Sequence, residues 1–192
     1  MRELRIHGRG GQGAVVASKL LAAALFREGK SVQSFPAFGV ERRGAPVTAF
    51  LRLSEGPILL RCEITAPDDL VVLDPTLVDA VDVSSGLKTG GSILINSDRD
   101  PGYYEVLRRK FRVATIAAND IARNHGLGSK TQPIVNTAIL GAFAASSGLV
   151  SLQAVCEAIA EEVPIQPEEN IRAAREAAAA VIALPPLEVE NV

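Results

Sequence analysis

The chain has 192 residues, of which 47% are apolar and 22% charged, with a formal net charge of −2. That length suits one domain able to bury its own core. The weak negative charge gives no electrostatic footprint for nucleic acid. The absence of tryptophan, with only 4% aromatic residues, argues against a base-stacking platform.

Cys62 and Cys156 are solitary, no C-x-x-C occurs, and His7 and His125 are the only histidines. A zinc site or an iron–sulfur cluster needs convergent ligands that this set does not provide. Two distant cysteines suit a reducing cytoplasm, which is the expected location. Cys156 stands among Leu152, Val155 and Ile159 at helical spacing and reads as a buried thiol. Met1-Arg2-Glu3-Leu4 leads into a strand without a signal-peptide core. The longest uncharged run, residues 131–156, is interrupted by Pro133, Gly141 and Gly148, so no membrane span is expected.

The chain opens with a strand over residues 3–7, a turn Gly8-Arg9-Gly10-Gly11-Gln12-Gly13, and a helix over 12–28. Four glycines in six residues allow positive φ and close backbone approach, so amide N–H groups can face outward. The helix adds unpaired N–H groups and its positive dipole end, a geometry suited to a phosphate. Gly8, Gly10 and Gly13 satisfy G-x-G-x-x-G, but the same turn could serve only to pack helix on strand. Ala14, Ala17, Leu21, Ala24 and Leu25 form the helix's apolar face, and Gly29 fits its C-terminal cap. A second strand at 31–35 predicts a parallel β-α-β pair with a right-handed crossover. A dinucleotide site requires an acid at the end of that strand, and Gln33 is the only candidate there.

Residues 35–46 form a loop that mixes Phe35, Phe38, Pro36 and Pro46 with Glu41-Arg42-Arg43. Arg42 and Arg43 can grip a carboxylate or phosphate bidentately, or belong to a solvated surface cluster. Strands are expected at 47–53 and 58–63, joined as a hairpin through Ser54-Glu55-Gly56-Pro57. Residues 70–74 read as a strand buried on both faces. Asp74 stands at its end, where it either lines a site or, the preferred reading, caps a short helix near 76–82. Strands follow at 92–96 and 111–116, with helices at 103–110 and 117–124.

From Thr131 the chain becomes helical. Residues 132–144 form a helix that is apolar nearly all round, so it is buried in this core or covered by another protein. Gly141 would permit close helix packing. Asn136 either satisfies a nearby backbone group or faces a ligand or partner; both readings stand. Two further helices follow, one from Ser151 to about Glu162 and one opened by Pro167. Ile171, Ala174, Ala178, Val181 and Ile182 are the last helix's expected buried stripe, and Pro185-Pro186 its end. The expected fold is three-layer α/β/α, with a mixed, mostly parallel Rossmann-like sheet and a helical C-terminal third. The expected organisation is one domain over 1–184 with a flexible or partner-docking tail over 185–192. No triad, nucleophile elbow, Walker lysine or metal-ligand cluster is present, so the residues support binding of an anionic group without complete catalysis.

Gly8-Arg9-Gly10-Gly11-Gln12-Gly13 closely resembles the G-x-G-G-Q-G signature of the gamma subunit of 2-oxoacid:ferredoxin oxidoreductases. The resemblance continues through residues 35–46, Ile64-Thr65-Ala66-Pro67-Asp68-Asp69 and Leu73-Asp74-Pro75-Thr76-Leu77. It returns at Pro133-Ile134-Val135-Asn136-Thr137-Ala138 and at Glu169-Asn170-Ile171-Arg172-Ala173-Ala174, covering nearly the whole chain in order. The Glu41-Arg42-Arg43-Gly44-Ala45-Pro46 form is similar to the pyruvate/2-ketoisovalerate branch rather than the indolepyruvate branch. The resemblance implies a subunit of an oxygen-sensitive enzyme that cleaves a 2-oxoacid with thiamine diphosphate, reduces ferredoxin and releases acyl-CoA and CO₂. It implies that thiamine diphosphate, magnesium and the iron–sulfur clusters lie on alpha, beta and ferredoxin-like delta partners. The isolated chain is then expected to be inactive, being structural and a docking surface for coenzyme A. Gly8, Arg9, Gly10, Gly11, Gln12, Gly13, Arg42, Arg43 and Asn136 are the residues expected to face coenzyme A or the partner subunits. The alternative is a stand-alone Rossmann-like nucleotide-binding module or small NAD(P)-dependent dehydrogenase.

Overall fold

The computed structural model describes residues 1–37 and 44–187. Arg42 and Arg43 lie outside the described residues. Strand β1 (Arg2–Arg9) leads into helix α1 (Ala14–Arg27), followed by β2 (Ser31–Pro36), β3 (Pro46–Ser54) and β4 (Asp69–Val72). Then come α2 (Leu77–Ala80), β5 (Ser92–Asn96), a 3₁₀ turn (Pro101–Tyr104), α3 (Glu105–Arg108) and β6 (Arg112–Ile116). Helices α4 (Ala118–Asn124), α5 (Asn136–Ser147), α6 (Leu152–Glu162) and α7 (Pro167–Ala180) precede a short strand β7 (Ile182–Leu184).

The seven strands among the described residues join one mixed sheet in the order β2-β3-β1-β4-β5-β6-β7. The central strands β1, β4, β5 and β6 are parallel, while β3 and β7 run antiparallel to their neighbours. Strand alternation divides the core. Val71 and Leu73 point to the layer of α1, α5, α6 and α7, whereas Leu70 and Val72 point to the layer of Leu77, Leu87, Tyr104 and Phe111. This is the three-layer α/β/α arrangement expected from the sequence. Ala14, Ala17, Leu21, Ala24 and Leu25 are all buried on α1 as the helical spacing predicts, and Cys156 is buried in α6.

Helix α5 is buried along Asn136 to Ala144, within this chain's own core. Gly141 accounts for its closeness to α7. A Cβ there would lie 1.9 Å from the Ala174 carbonyl oxygen.

Three expectations change. First, β1 and β2 are not paired: β3 lies between them and pairs antiparallel with both. β3 is nine residues long and carries buried Ala49, Leu51 and Leu53, so it takes a more interior position than half-buried β2. Second, residues 58–63 form no strand. Pro57 lacks a backbone donor, and side chains capture carbonyls of the segment instead. The Gln33 amide donates to the Leu60 carbonyl (3.0 Å), and the Arg52 guanidinium to that of Cys62 (2.8 Å). Third, α7 ends at Ala180 and residues 182–184 pair antiparallel with β6. Its buried positions are Asn170, Ala173, Ala174 and Ala177, while Ile182 is half exposed. The small alanines are what let α7 approach Gly141.

Candidate functional site

The glycine turn sits at the carboxyl end of β1, in the middle of the sheet. Gly8 has little room for a side chain: a Cβ would meet the Leu73 side chain at 3.2 Å and that of Ala14 at 3.3 Å, so both would have to give way slightly. Gly11 and Gly13 have φ of 97° and 83°, a region costly for other residues. Gly10 is pinned by an exchange with the next loop: its N–H donates to the Ala45 carbonyl (2.9 Å), and its carbonyl accepts from Gly44 N–H (3.0 Å). The N–H groups of Gly11 and Gly13 donate no hydrogen bond within the described residues. Gly13 is the N-cap of α1, and no side chain caps that end.

Asp74, just beyond β4, holds this turn. Its Oδ2 accepts from the Gln12 side-chain amide (2.9 Å) and from Arg9 Nε (3.1 Å). Its Oδ1 accepts from the Thr76 N–H (3.0 Å) and hydroxyl (2.6 Å). Gln12 Oε1 in turn accepts the Arg9 backbone N–H at 2.7 Å. Burial raises the Asp74 pKa, but the bonds from Thr76 and Gln12 and the charge of Arg9 outweigh it, so the carboxyl is held below its ordinary value. The capping reading of Asp74 fails: the N-cap of α2 is Thr76 and no side chain caps it, so Asp74 Oδ1 closes a turn onto Thr76 while Oδ2 serves the glycine turn.

His7, one residue before the turn, accepts a hydrogen bond at Nε2 from Arg5 Nε (3.0 Å). Arg5 is itself fixed by the carbonyls of Val83 (2.9 Å) and Ser85 (2.6 Å). Burial, reinforced by the Arg5 charge, lowers the His7 pKa to about 4. The imidazole is neutral and its free lone pair is spent on Arg5, so His7 is not a base for the cleft beyond it.

A cleft of about 570 Å³ opens between the turn and the loop that enters α5, lined by Arg9, Gly11, Gln12, Asn119, Arg123 and Ser129, among others. That is the size of a small-molecule site. Val135, the N-cap of α5, also borders it, and α5 likewise has no side-chain cap. The two helix N-termini meet closely: a Cβ on Gly13 would lie 2.9 Å from Asn136 Nδ2. Two positive dipole ends thus serve one cleft. Asn119 and Arg123 are absent from the sequence-based set. Their signal was positional, since α4 begins just after β6, at the carboxyl edge where parallel sheets collect sites. Asn96, at the end of β5, fixes Asn119 by donating to its Oδ1 at 3.1 Å.

Gly10, Gly11, Gln12 and Arg9 line this cleft, whereas Gly8 and Gly13 act from behind it by packing. Asn136 packs on Gly13 but lines a neighbouring cavity, and its buried Oδ1 has no hydrogen-bond partner. The reading in which Asn136 satisfies a nearby backbone group does not describe that atom. A dinucleotide site fits poorly. β2 is separated from β1 by β3, and Gln33 is engaged with Arg52 (2.9 Å) and Leu60. Among the described residues no group of three or more His, Cys, Asp or Glu side chains is placed to hold a metal ion, and no helix is long and apolar enough to cross a membrane.

The family model described as pyruvate ferredoxin/flavodoxin oxidoreductase matches residues 3–180. A pyruvate/ketoisovalerate oxidoreductases common subunit gamma of Thermococcus kodakarensis is 51% identical over 180 residues, covering 92% of this chain and 95% of that protein. A pyruvate synthase subunit PorC of Methanosarcina barkeri is 48% identical over 159 residues, covering 83% of this chain and 85% of its own. The crystal structure of pyruvate oxidoreductase subunit PORC from Thermotoga maritima aligns with a TM-score of 0.78 at 35% identity, covering 95% of this chain and 97% of that one.

Proposed function

Because the chain belongs to the pyruvate ferredoxin/flavodoxin oxidoreductase family, as a gamma or PorC-type subunit, we propose that it supplies the coenzyme A docking surface of its complex. The proposed reaction is coenzyme A-dependent oxidative decarboxylation of pyruvate or 2-ketoisovalerate to acyl-CoA and CO₂, with ferredoxin as electron acceptor. The observation that carries this reading is the convergence of two uncapped helix N-termini, α1 and α5, on one cleft beside the glycine turn.

Coenzyme A carries phosphates, and each part of the cleft suits one. The free N–H group of Gly11, with the dipole ends of α1 and α5 close by, offers positive potential without side-chain motion. Arg9 adds a guanidinium whose position is fixed by Asp74 and by Thr76 Oγ1 (2.7 Å). Arg123 borders the opposite wall. Arg42 and Arg43, which precede Gly44 in the sequence, are assigned as contributors because Gly44 is tied to the turn. Thiamine diphosphate, magnesium and iron–sulfur clusters are assigned to alpha, beta and ferredoxin-like delta partners. Cys62 is exposed beyond β3 and Cys156 is buried in α6, so this chain has no thiolate set for a cluster. Residues 1–184 act as one unit in this reading, and the tail from 185 as a partner-docking extension.

The test is the Michaelis constant for coenzyme A in the assembled enzyme. Arg9→Ala removes a charge-assisted contact and is expected to raise it about tenfold, with the constant for the 2-oxoacid and subunit assembly unchanged. Arg43→Ala is expected to raise it or weaken assembly. A coenzyme A constant unchanged by both substitutions would overturn the assignment.

A further inference from the structure

One wall of the cleft beside the glycine turn is oriented by a buried amide. Asn96, at the end of β5, is 1% exposed. Its Oδ1 accepts from the Asn119 backbone N–H at 3.3 Å, and its Nδ2 donates to the Leu73 carbonyl at 2.9 Å. A backbone N–H can only donate and a carbonyl can only accept, so these two bonds fix which end of the Asn96 amide is the oxygen. The second Nδ2 hydrogen then serves the Asn119 side chain, 3.1 Å away. That side chain must present its oxygen, because otherwise two NH₂ groups would face each other.

The orientation of Asn119 is thereby set from outside the cleft. Its Oδ1 is spent on Asn96, while its Nδ2 donates to nothing among the described residues. Asn119 is half-buried and lines the cleft. Its Nδ2 is accessible, whereas Asn136 Oδ1 is the one enclosed side-chain N or O atom without a partner among the described residues. Asn119 therefore offers the cleft donors and no acceptor.

Neighbouring groups have the same polarity. Asp74 accepts from Gln12 and Arg9, and Gln12 Oε1 accepts the Arg9 backbone N–H, so the side-chain acceptors at the turn are occupied. Arg123 spends Nε on the Lys130 carbonyl and Nη1 on Asp120, which leaves Nη2 beside the cleft. The Gly11 N–H is also unpaired. An acceptor-only group such as a phosphate satisfies this set without placing one lone pair against another.

We infer that Asn119 is a ligand-contacting residue that donates from Nδ2 to a phosphate oxygen of coenzyme A, and that Asn96 is its positioning residue. The inference rests on the coenzyme A reading of the cleft and adds to it two residues and the polarity of their contact.

The experiment is steady-state kinetics of the assembled oxidoreductase carrying this chain as Asn119→Ala, Asn119→Asp, Asn96→Ala or the Asn96→Ala/Asn119→Ala double variant. Asn119→Ala is expected to raise the Michaelis constant for coenzyme A about tenfold, with turnover at saturating coenzyme A and the constant for the 2-oxoacid unchanged. Asn119→Asp still accepts from Asn96 Nδ2 and so keeps the buried anchor, but it turns a charged acceptor towards the cleft. It is expected to raise the constant about tenfold more than Asn119→Ala, and added salt should narrow that gap. Asn96→Ala is expected to match Asn119→Ala in its effect on the constant and to add nothing to it in the double variant, while lowering the melting temperature in both backgrounds. A purely structural role would instead add to the constant in both backgrounds. Melting curves of each variant chain establish that it folds, and Asn96→Ser repeats the comparison if the alanine variant does not. An Asn119→Asp constant no higher than that of Asn119→Ala would overturn the phosphate contact, as would unchanged constants in both. Additive effects of the Asn96 and Asn119 substitutions would overturn the positioning role. If Arg9→Ala still raises the constant, either failure leaves coenzyme A docking standing. Loss of the Arg9 effect as well would remove the reading beneath the inference.

Discussion

At the scale of single residues, the neighbourhood of the turn is held by groups whose charge states are set by burial and pairing. His7 has its folded-state pKa lowered to about 4, against an ordinary value of 6.5. Between those values the unfolded chain binds a proton that the native chain refuses. The stability contributed by neutral His7 is thus fully present above pH 6.5 and is lost as pH falls towards 4. A difference of 2.5 units corresponds to about 3 kcal/mol. Chemical denaturation of the purified chain should therefore show stability falling by that order between pH 7 and pH 4. His7→Gln keeps an acceptor for Arg5 and cannot titrate, so it should flatten this part of the profile. An equally steep profile in the variant would assign the pH dependence to other groups. Asp74 acts in a lower window. Its pKa is held below the ordinary carboxylate value, so its contribution is present above that value and disappears only at lower pH. The sequence placed Asp74 at a strand end and offered two roles for it. It could not reveal that the carboxylate bonds the glycine turn instead of capping α2, because Arg9 and Gln12 are 65 and 62 residues away in the chain.

At the scale of elements, two glycines in the helical third separate the cost of space from the cost of backbone conformation. Gly141 lies inside α5, where a Cβ would stand 1.9 Å from the Ala174 carbonyl oxygen. Gly141→Ala forces α7 away from α5 and is expected to cost 3 kcal/mol or more, at about the upper end for overpacking. Gly148 has open space around it but φ of 65° at the C-cap of α5. Gly148→Ala is expected to cost only about 1 kcal/mol. Urea denaturation of both variants checks the order, and a reversal would mean that α7 is not held against α5 as described. Elements whose pattern is local were legible: the alanine and leucine stripe of α1, the apolar run from Leu70 that builds the buried β4, and the buried α5. The position of β3 was not, because strand order depends on pairings between residues far apart in sequence. Residues 58–63 had strand-forming side chains, but Gln33 and Arg52 engage their carbonyls from neighbouring strands. β7 was missed because three residues of a strand continue the composition of the helix before them.

At the scale of the whole molecule, the chain concentrates its polar chemistry at one edge of the sheet. The turn after β1, Asp74 after β4, Asn96 at the end of β5 and Asn119 after β6 all collect at the carboxyl ends of the parallel strands. In the proposed role this edge binds and orients, and it supplies no thiolate array. An iron–sulfur cluster of the common type needs four cysteine ligands, and this chain has Cys62 and Cys156 on unrelated elements. With the clusters on the partner subunits, as proposed above, electron transfer in the complex is expected to fail there when iron is removed. A chelator should shift the melting temperature of the isolated chain by less than about 2 °C, the change that accompanies a loss of roughly 1 kcal/mol in a domain of this size. The same treatment should abolish ferredoxin reduction by the complex. Adding fresh copies of this chain to the treated complex should restore nothing, whereas adding intact partner subunits should restore activity. Iron that co-purifies in fixed ratio with the isolated chain, or rescue by this chain alone, would place a cluster here and refute the division of labour.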